Sequence, residues 1–300
     1  MDSVKPFQTF GGNWTEEKLE RVRKYLVAYA TIMNKQKFRF AYIDAFAGTG
    51  YRTLEQHQKA LAKFFPEVFE KDSQQFLDGS ARIALQIRPR FTKYIFIERD
   101  TDRIVELQKL KSEFKELRDD IVVIHADANS YLQDLCRNHS WRNNRAVLFL
   151  DPFGMQVTWE TIAAIAATKA IDLWLLFPIG AVNRLLPRNG KISAAWRKTL
   201  DRMFGSSDWY EIFYRTRKFT NVFGGQQMTT IKLADFNFIG EYFVKRLSTV
   251  FAGVAQNPLP LLNSRNSPLY LLCFASGNPK GSTTAIKIAQ DILKREPSWQ

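Results

Sequence analysis

Cysteine and histidine are scarce in this chain. Its 300 residues include two cysteines, Cys136 and Cys273, and three histidines, His57, His125 and His139. Neither cysteine belongs to a CxxC pair and the histidines are scattered, so spacing offers no metal cluster and no disulfide framework, and a reducing compartment fits. No uninterrupted apolar run approaches the ~20 residues that span a bilayer, and Met1 to Gly12 lacks the apolar centre of a secretory signal; a soluble cytoplasmic protein is expected, with no membrane association. Internal repeats, low-complexity tracts and Pro- or Gly-rich linkers are also missing, which leaves residues 1–300 as one domain. Two familiar nucleotide loops are absent too. Thr53 stands where a dinucleotide-binding turn starting at Gly48 would place its third glycine, and Gly277-Asn-Pro-Lys-Gly-Ser282 lacks the Gly-Lys-Ser/Thr ending of a phosphate loop.

What is present is apolar material sufficient for a core, 45% of the chain, and an excess of positive charge, 43 Lys and Arg against 30 Asp and Glu. A formal charge of +13 favours polyanions. The excess is concentrated: Val182 to Thr220 holds nine basic residues and three acidic ones.

Leu19, Val22, Leu26, Tyr29 and Met33 recur at helical spacing behind Thr15, a helix-capping residue type, with Glu16 and Glu17 favourable in the first turn. Five short apolar runs follow: Phe40 to Asp44, Tyr94 to Glu98, Ile121 to His125, Val147 to Asp151 and Leu173 to Phe177. Helical patterns alternate with them, at Ala81 to Ile87 behind Ser80, Asp102 to Arg118, Ser130 to Cys136 and Thr158 to Thr168. The alternation predicts an α/β fold, a mostly parallel sheet with helices on both faces. Later come a helix over Ala234 to Val250, strands at Gly253 to Gln256 and Leu269 to Phe274 joined by a Pro- and Asn-rich connection and expected to form an antiparallel C-terminal hairpin, and a helix over Ser282 to Leu293. Two segments exceed the bare alternation and read as insertions, 51–78 and 183–233.

The first strand runs into Asp44-Ala-Phe-Ala-Gly-Thr-Gly50, a turn with two glycines that allow a ligand to lie against backbone. The second strand ends in Glu98, the third is followed by Asp127, and the fourth ends in Asp151-Pro152-Phe153-Gly154. Any one of these acids suits a helix cap or a solvated strand end. Four of them at one sheet edge, beside a GxG turn, favour a ligand with amino and hydroxyl donors, such as a nucleoside.

These residues carry a resemblance. Asp44 to Gly50, Phe46 included, is similar to motif I of class I S-adenosylmethionine-dependent methyltransferases. Asp151-Pro152-Phe153 is similar to a variant of the D/N-P-P-Y/F motif of amino-methyltransferases. With Gly79-Ser80, Phe96 to Arg99, Asn183-Arg184, Gly205 with Trp209, and Pro268 to Ser276, the chain resembles, over nearly its whole length, the three-Cys-motif partner family of bacterial proteins.

The resemblance implies a Rossmann-like methyltransferase sheet and S-adenosylmethionine as cofactor, bound by Asp44, Phe46, Gly48, Gly50, Glu98 at the ribose hydroxyls and Asp127 near the adenine amine. It also implies transfer to an amino nitrogen of a base in RNA or DNA, with Asp151, the carbonyl of Pro152 and Phe153 as the catalytic constellation. The motif departs from the family's in placing Phe153 and Gly154 where proline and an aromatic ring are usual, so Phe153 reads equally as a stacking ring and as packing under the loop.

The alternative is a cofactor-binding subunit that acts with a separate three-cysteine-motif protein. For the basic stretch, Arg184, Arg197 and Arg215 are candidates for phosphates and Trp209 for a base, against the plainer reading that its aromatics are core.

Overall fold

The computed structural model describes residues 13–46, 72–152, 154–220, 226–263 and 265–294. Gly48, Gly50, Phe153 and positions 51–71 of the first insertion lie outside them.

The chain enters through α1 (Asn13–Met33) and then alternates β1 (Arg39–Ala45), α2 (Asp72–Gln86), β2 (Lys93–Glu98), α3 (Thr101–Glu113), β3 (Ile121–His125), α4 (Ala128–Asn138), β4 (Asn144–Leu150), α5 (Trp159–Ala167) and β5 (Ile171–Phe177). Then follow α6 (Ile179–Arg184), α7 (Ala194–Phe204), α8 (Trp209–Phe213), β6 (Tyr214–Thr220), β7 (Gln226–Lys232) and α9 (Phe236–Ser248). The chain closes with β8 (Gly253–Val254), β9 (Leu259–Leu262), β10 (Pro268–Ser276) and α10 (Ser282–Leu293).

The main sheet has the order β3-β2-β1-β4-β5-β10-β8, with β9 also paired to β10. Strands β1 to β5 run parallel, while β10 is antiparallel to β5, to β8 and to β9. This is the doubly wound α/β arrangement, whose ligand crevice lies outside the carboxyl ends of the strands at the point where the strand order reverses, here between β1 and β4.

Side-chain alternation along each strand divides the core in two. Ile43, Leu148, Leu150, Leu173 and Leu175 face one layer, built with α4, α5, α7 and α9. Tyr42, Val147, Phe149, Trp174 and Leu176 face the other, covered by α1, α2 and α10. Burying each such large apolar side chain contributes roughly 1.5–3 kcal/mol, which is what holds short strands and helices in place.

Three expectations need correction. Helix α1 begins at Asn13, so Thr15 lies inside it. Ser80 does not cap the second helix: α2 starts at Asp72 and takes up positions 72–78 of the first insertion. The Pro-rich connection before β10 contains β9, because Leu259 and Leu261 are buried alternately along it. The second insertion starts inside α6, and its Leu200, Phe204, Trp209, Phe213 and Tyr214 are part of the first core layer. Its β6 and β7 form a separate antiparallel ribbon.

Candidate functional site

Register brings the acids together. Asp44 pairs across to Phe96 on β2 and Phe149 on β4, and Glu98 pairs to His125, so the carboxyl ends of β1, β2, β3 and β4 form one rim.

Asp44 lies on the strand face that carries Tyr42 and is 1% exposed. Its Oδ2 accepts the Tyr42 hydroxyl at 3.0 Å and the Ser80 hydroxyl at 2.7 Å. Oδ1 is buried with no partner among the described residues. Burial pushes the carboxyl up to about 7, against the pull of those two hydroxyls.

Glu98 has the same character. Oε1 accepts the backbone N–H of Arg99 at 2.6 Å and of Asp100 at 2.7 Å, while Oε2 is buried without a partner among the described residues. Burial raises it to about 7, opposed by the two backbone bonds and by Arg103.

A buried oxygen without a donor costs about 1–3 kcal/mol, and here two occur on neighbouring strand ends beside the topological switch point. They fit a ligand that brings hydroxyl and ammonium donors. The backbone adds a further sign: Phe46, at the exit of β1, has φ 65°, which costs on the order of 1–3 kcal/mol for a bulky residue and is characteristic of ligand-clamping turns. The Phe46 ring itself packs in the core below the turn.

The other two acids have visible partners. Asp127 is exposed and caps α4, its Oδ1 accepting from Ser130 N–H at 2.9 Å and from the Ser130 hydroxyl at 3.1 Å. Asp151 is engaged from α1, where Lys18 donates to its Oδ2 at 3.0 Å. Lys18 is 2% exposed and Asp151 15%. Burial pushes the Asp151 carboxyl up and the adjacent ammonium draws it back down. Asp151 was expected to stand open to a substrate amine; instead one oxygen is committed to a buried cation, because an unpaired carboxylate at that depth would be costly.

The Asp151 loop is built rigidly. Pro152 is buried, and Gly154 has φ 64°, which explains glycine there. Asn129 on α4 binds the loop from both sides, donating to the Gln156 carbonyl at 2.9 Å and accepting from Thr158 N–H at 3.1 Å and the Thr161 hydroxyl at 2.8 Å. His125 Nε2 meets the Arg99 carbonyl at 2.9 Å and joins the loops after β3 and β2.

Lys18 and Asn129 escaped the sequence reading, in which Ser80 is a helix cap and not a partner of Asp44. For Lys18 a signal existed: it stands four residues before Val22 and seven before Tyr25, on the apolar stripe of α1.

The basic element separates into two kinds of residue. Trp209 is fully buried, and its Nε1 donates to Asp201 Oδ1 at 2.8 Å. It is core and is not placed to stack on a base, which corrects that expectation; an indole takes burial when its N–H finds a partner. Tyr210 and Tyr214 likewise donate to the backbone carbonyls of Gly190 and Pro187. Arg184 is half-buried at the end of α6. Arg197 is exposed with its guanidinium 4.5 Å over the Tyr210 ring. Arg215, Arg217 and Lys218 are exposed on the ribbon, where they face Ile231, Thr229 and the exposed Met228. Lys232 anchors the ribbon base by donating to Asn183 Oδ1 at 2.7 Å.

Among the described residues, no group of three or more His, Cys, Asp and Glu could hold a metal ion, and no helix is long and apolar enough to cross a membrane. Cys136 and Cys273 are buried and free.

No protein-family model matches the chain, and no curated protein matches it. Among solved structures, it is similar to a spermidine synthase bound to a transition-state analogue, at 13% identity over 96% of this chain and 69% of that one, with a TM-score of 0.39. It is similar to the magnesium protoporphyrin IX methyltransferase of Synechocystis with bound SAM, at 12% identity over 77% and 86% of the two chains, with a TM-score of 0.29. A plantazolicin methyltransferase in complex with a substrate analogue and SAH gives 11% identity over 89% and 88%, also with a TM-score of 0.29. Likeness at these values carries no argument about chemistry, so the functional reading rests on the site.

Proposed function

We propose that the crevice between the carboxyl ends of β1 and β4 binds S-adenosylmethionine and that the chain is a methyltransferase acting on an amino nitrogen of a nucleic-acid base. The observation that carries this reading is the pair of orphaned buried oxygens, Asp44 Oδ1 and Glu98 Oε2, on neighbouring strand ends at the switch point. Glu98 would take the ribose hydroxyls and Asp44 the ammonium group.

The cofactor would supply an electrophilic methyl group on sulfur. Asp151, on the same sheet face as Asp44, then holds the substrate. Its carboxylate accepts a hydrogen bond from the amine and directs the nitrogen lone pair, an orienting role that accounts for much of the rate in such transfers. Lys18 opposes the upward push of burial on that carboxylate and fixes one of its oxygens, and Asn129 ties together the residues that follow it. The proton shed by the nitrogen passes to the Asp151 carboxylate and on to solvent.

The substrate class is supported by the ribbon. A two-stranded ribbon fits the duplex major groove, and the exposed Arg215 and Arg217 on one of its faces, with exposed Lys218 on the other, suit phosphates.

The test is calorimetric titration of the purified chain with S-adenosylmethionine, followed by transfer of labelled methyl to RNA and DNA. Absence of binding sinks the cofactor assignment. Binding with transfer only after a second protein is added makes the chain the cofactor-holding subunit that the three-Cys-motif resemblance implies.

A further inference from the structure

The opposite rim of the sheet holds a second cavity, of about 380 Å³, within the usual range of small-molecule sites. Nothing in the proposed transfer uses it. Its floor is made by the amino ends of β4 and β5 and by the end of antiparallel β10, which returns to that rim; its walls are the later turns of α1 and the start of α10.

At the floor sits Asp172, 7% exposed. Tyr25 donates to its Oδ2 at 2.8 Å and Ser276 to its Oδ1 at 2.6 Å. The carboxylate is therefore fixed in orientation, and each oxygen keeps a further lone pair. Burial pushes it up to about 6, so it is ionised at neutral pH.

Around it, the groups left without partners are donors. Arg145 lines the cavity and spends one terminal nitrogen on the carbonyls of Trp141, at 3.0 Å, and Asn144, at 2.7 Å, while its other terminal nitrogen makes no hydrogen bond among the described residues. Tyr29 lines the cavity, is 8% exposed, and its hydroxyl makes no hydrogen bond among the described residues. The fields of Asp172 and Arg145 both reach it. The apolar part of the lining is made by Phe38, whose ring lies 4.0 Å beneath the Arg145 guanidinium, and by Ile32 and Met33. At the mouth stand Lys280 and the N-terminus of α10, whose capping residue Gly281 provides no side-chain acceptor.

Each feature narrows the ligand. A bare anion would meet Asp172, and a purely apolar molecule would offer nothing to the Arg145 guanidinium and the Tyr29 hydroxyl. A planar ring with two parallel N–H donors beside a carbonyl satisfies all three groups: the donors pair with the two Asp172 oxygens, and the carbonyl oxygen accepts from Arg145 and Tyr29. Guanine has that edge. Adenine would set a ring-nitrogen lone pair against one of the Asp172 oxygens. A phosphate on such a ligand would reach Lys280 and the free N–H groups of α10.

We propose that this amino-rim cavity is a second binding site, for a guanine mononucleotide, separate from the crevice at the carboxyl rim.

Guanosine 5′-monophosphate titrated into the full chain, with and without saturating S-adenosylhomocysteine, should bind one to one with the same affinity in both. Adenosine 5′-monophosphate and inorganic phosphate should bind at least tenfold more weakly. Lys280→Ala should weaken the guanine nucleotide about tenfold through loss of one charge-assisted bond. Thr284→Trp, an exposed position at the mouth, should block it while leaving the melting temperature and S-adenosylhomocysteine binding unchanged. Asp172→Asn should abolish it; if that variant fails to fold, the mouth variants decide. Four results overturn the proposal: no binding at millimolar nucleotide, displacement by S-adenosylhomocysteine, equal binding of inorganic phosphate, or full affinity in Thr284→Trp.

Discussion

At the carboxyl rim of the sheet, Asp44 and Glu98 each leave one buried oxygen without a donor among the described residues; at the amino rim, Asp172 has both oxygens bonded, and it is the donors of Arg145 and Tyr29 that face the cavity with hydrogen-bonding capacity to spare. All three carboxyls are pushed above their ordinary range by burial. Raised proton affinity therefore does not distinguish the two rims. What does is the sign of the unmet hydrogen-bonding capacity: the carboxyl rim lacks donors and the amino rim lacks acceptors. Each rim thus specifies the complement it would bind.

The comparison breaks most visibly at Lys18. Lys18→Met leaves Asp151 buried beside Asp44 without its cation, which should cost ~3–5 kcal/mol of stability at pH 8. The cost should shrink at low pH, where Asp151 takes up a proton. Chemical denaturation at both pH values measures it, and an unchanged midpoint would show that the ion pair does not hold α1 to the sheet. Trp209→Ala should destabilise to a similar extent, ~3–5 kcal/mol, through the cavity it leaves.

Next in size is the cofactor itself. Glu98→Ala should lower S-adenosylmethionine affinity by roughly 100-fold, the equivalent of one or two charge-assisted hydrogen bonds, with the fold retained by circular dichroism. Asp172→Asn should leave that affinity untouched. Equal losses in both would mean that the rims are coupled and the contrast between them false.

A smaller effect is expected from the ribbon. Replacing Arg215, Arg217 and Lys218 together with alanine should reduce the slope of log affinity against log salt by up to about 2.7 on duplex DNA, at roughly 0.9 per phosphate, or about 2.1 on single strands. It should not alter which base is modified. An unaltered slope would remove the ribbon from the nucleic-acid surface.

Much of the frame was legible because local pattern and tertiary outcome agree there. The five parallel strands are uninterrupted apolar runs, and the acids that end them must share a rim once the strands are parallel. Illegible residues are those whose fate is decided at a distance. Lys18 is charged and sits on an apolar stripe, and only its proximity to Asp151, 133 positions away, makes that tolerable. Trp209 is flanked by basic residues and looks like a surface aromatic until Asp201 satisfies its N–H. Ser80 resembles a helix start, yet its hydroxyl is spent on Asp44 within α2. β9 is concealed by Pro258 and Pro260, which a strand tolerates at an edge or an irregular pairing.

The sharpest test of the rim comparison is in pH. Asp44 moves from an ordinary 3.8 to about 7, and Glu98 from 4.5 to about 7. Between those values the folded chain binds more protons than the unfolded one, so this contribution to stability is complete below about pH 4 and is lost as pH rises through 7. The free protein should therefore melt lower at pH 8 than at pH 5. Ligand donors reverse the preference, because hydroxyl and ammonium groups need the ionised carboxylates. S-adenosylmethionine affinity should accordingly drop by about tenfold per carboxylate between pH 8 and pH 6, since each loses roughly nine-tenths of its ionised form across that range. Asp44→Asn should remove one of the two protons from that dependence and Glu98→Gln the other, whereas Asp172→Asn should change neither. Calorimetry in two buffers of different ionisation enthalpy counts the protons released on binding near pH 7. A count of zero would mean that neither carboxylate meets the cofactor, and the orphaned oxygens would then belong to the resting fold alone.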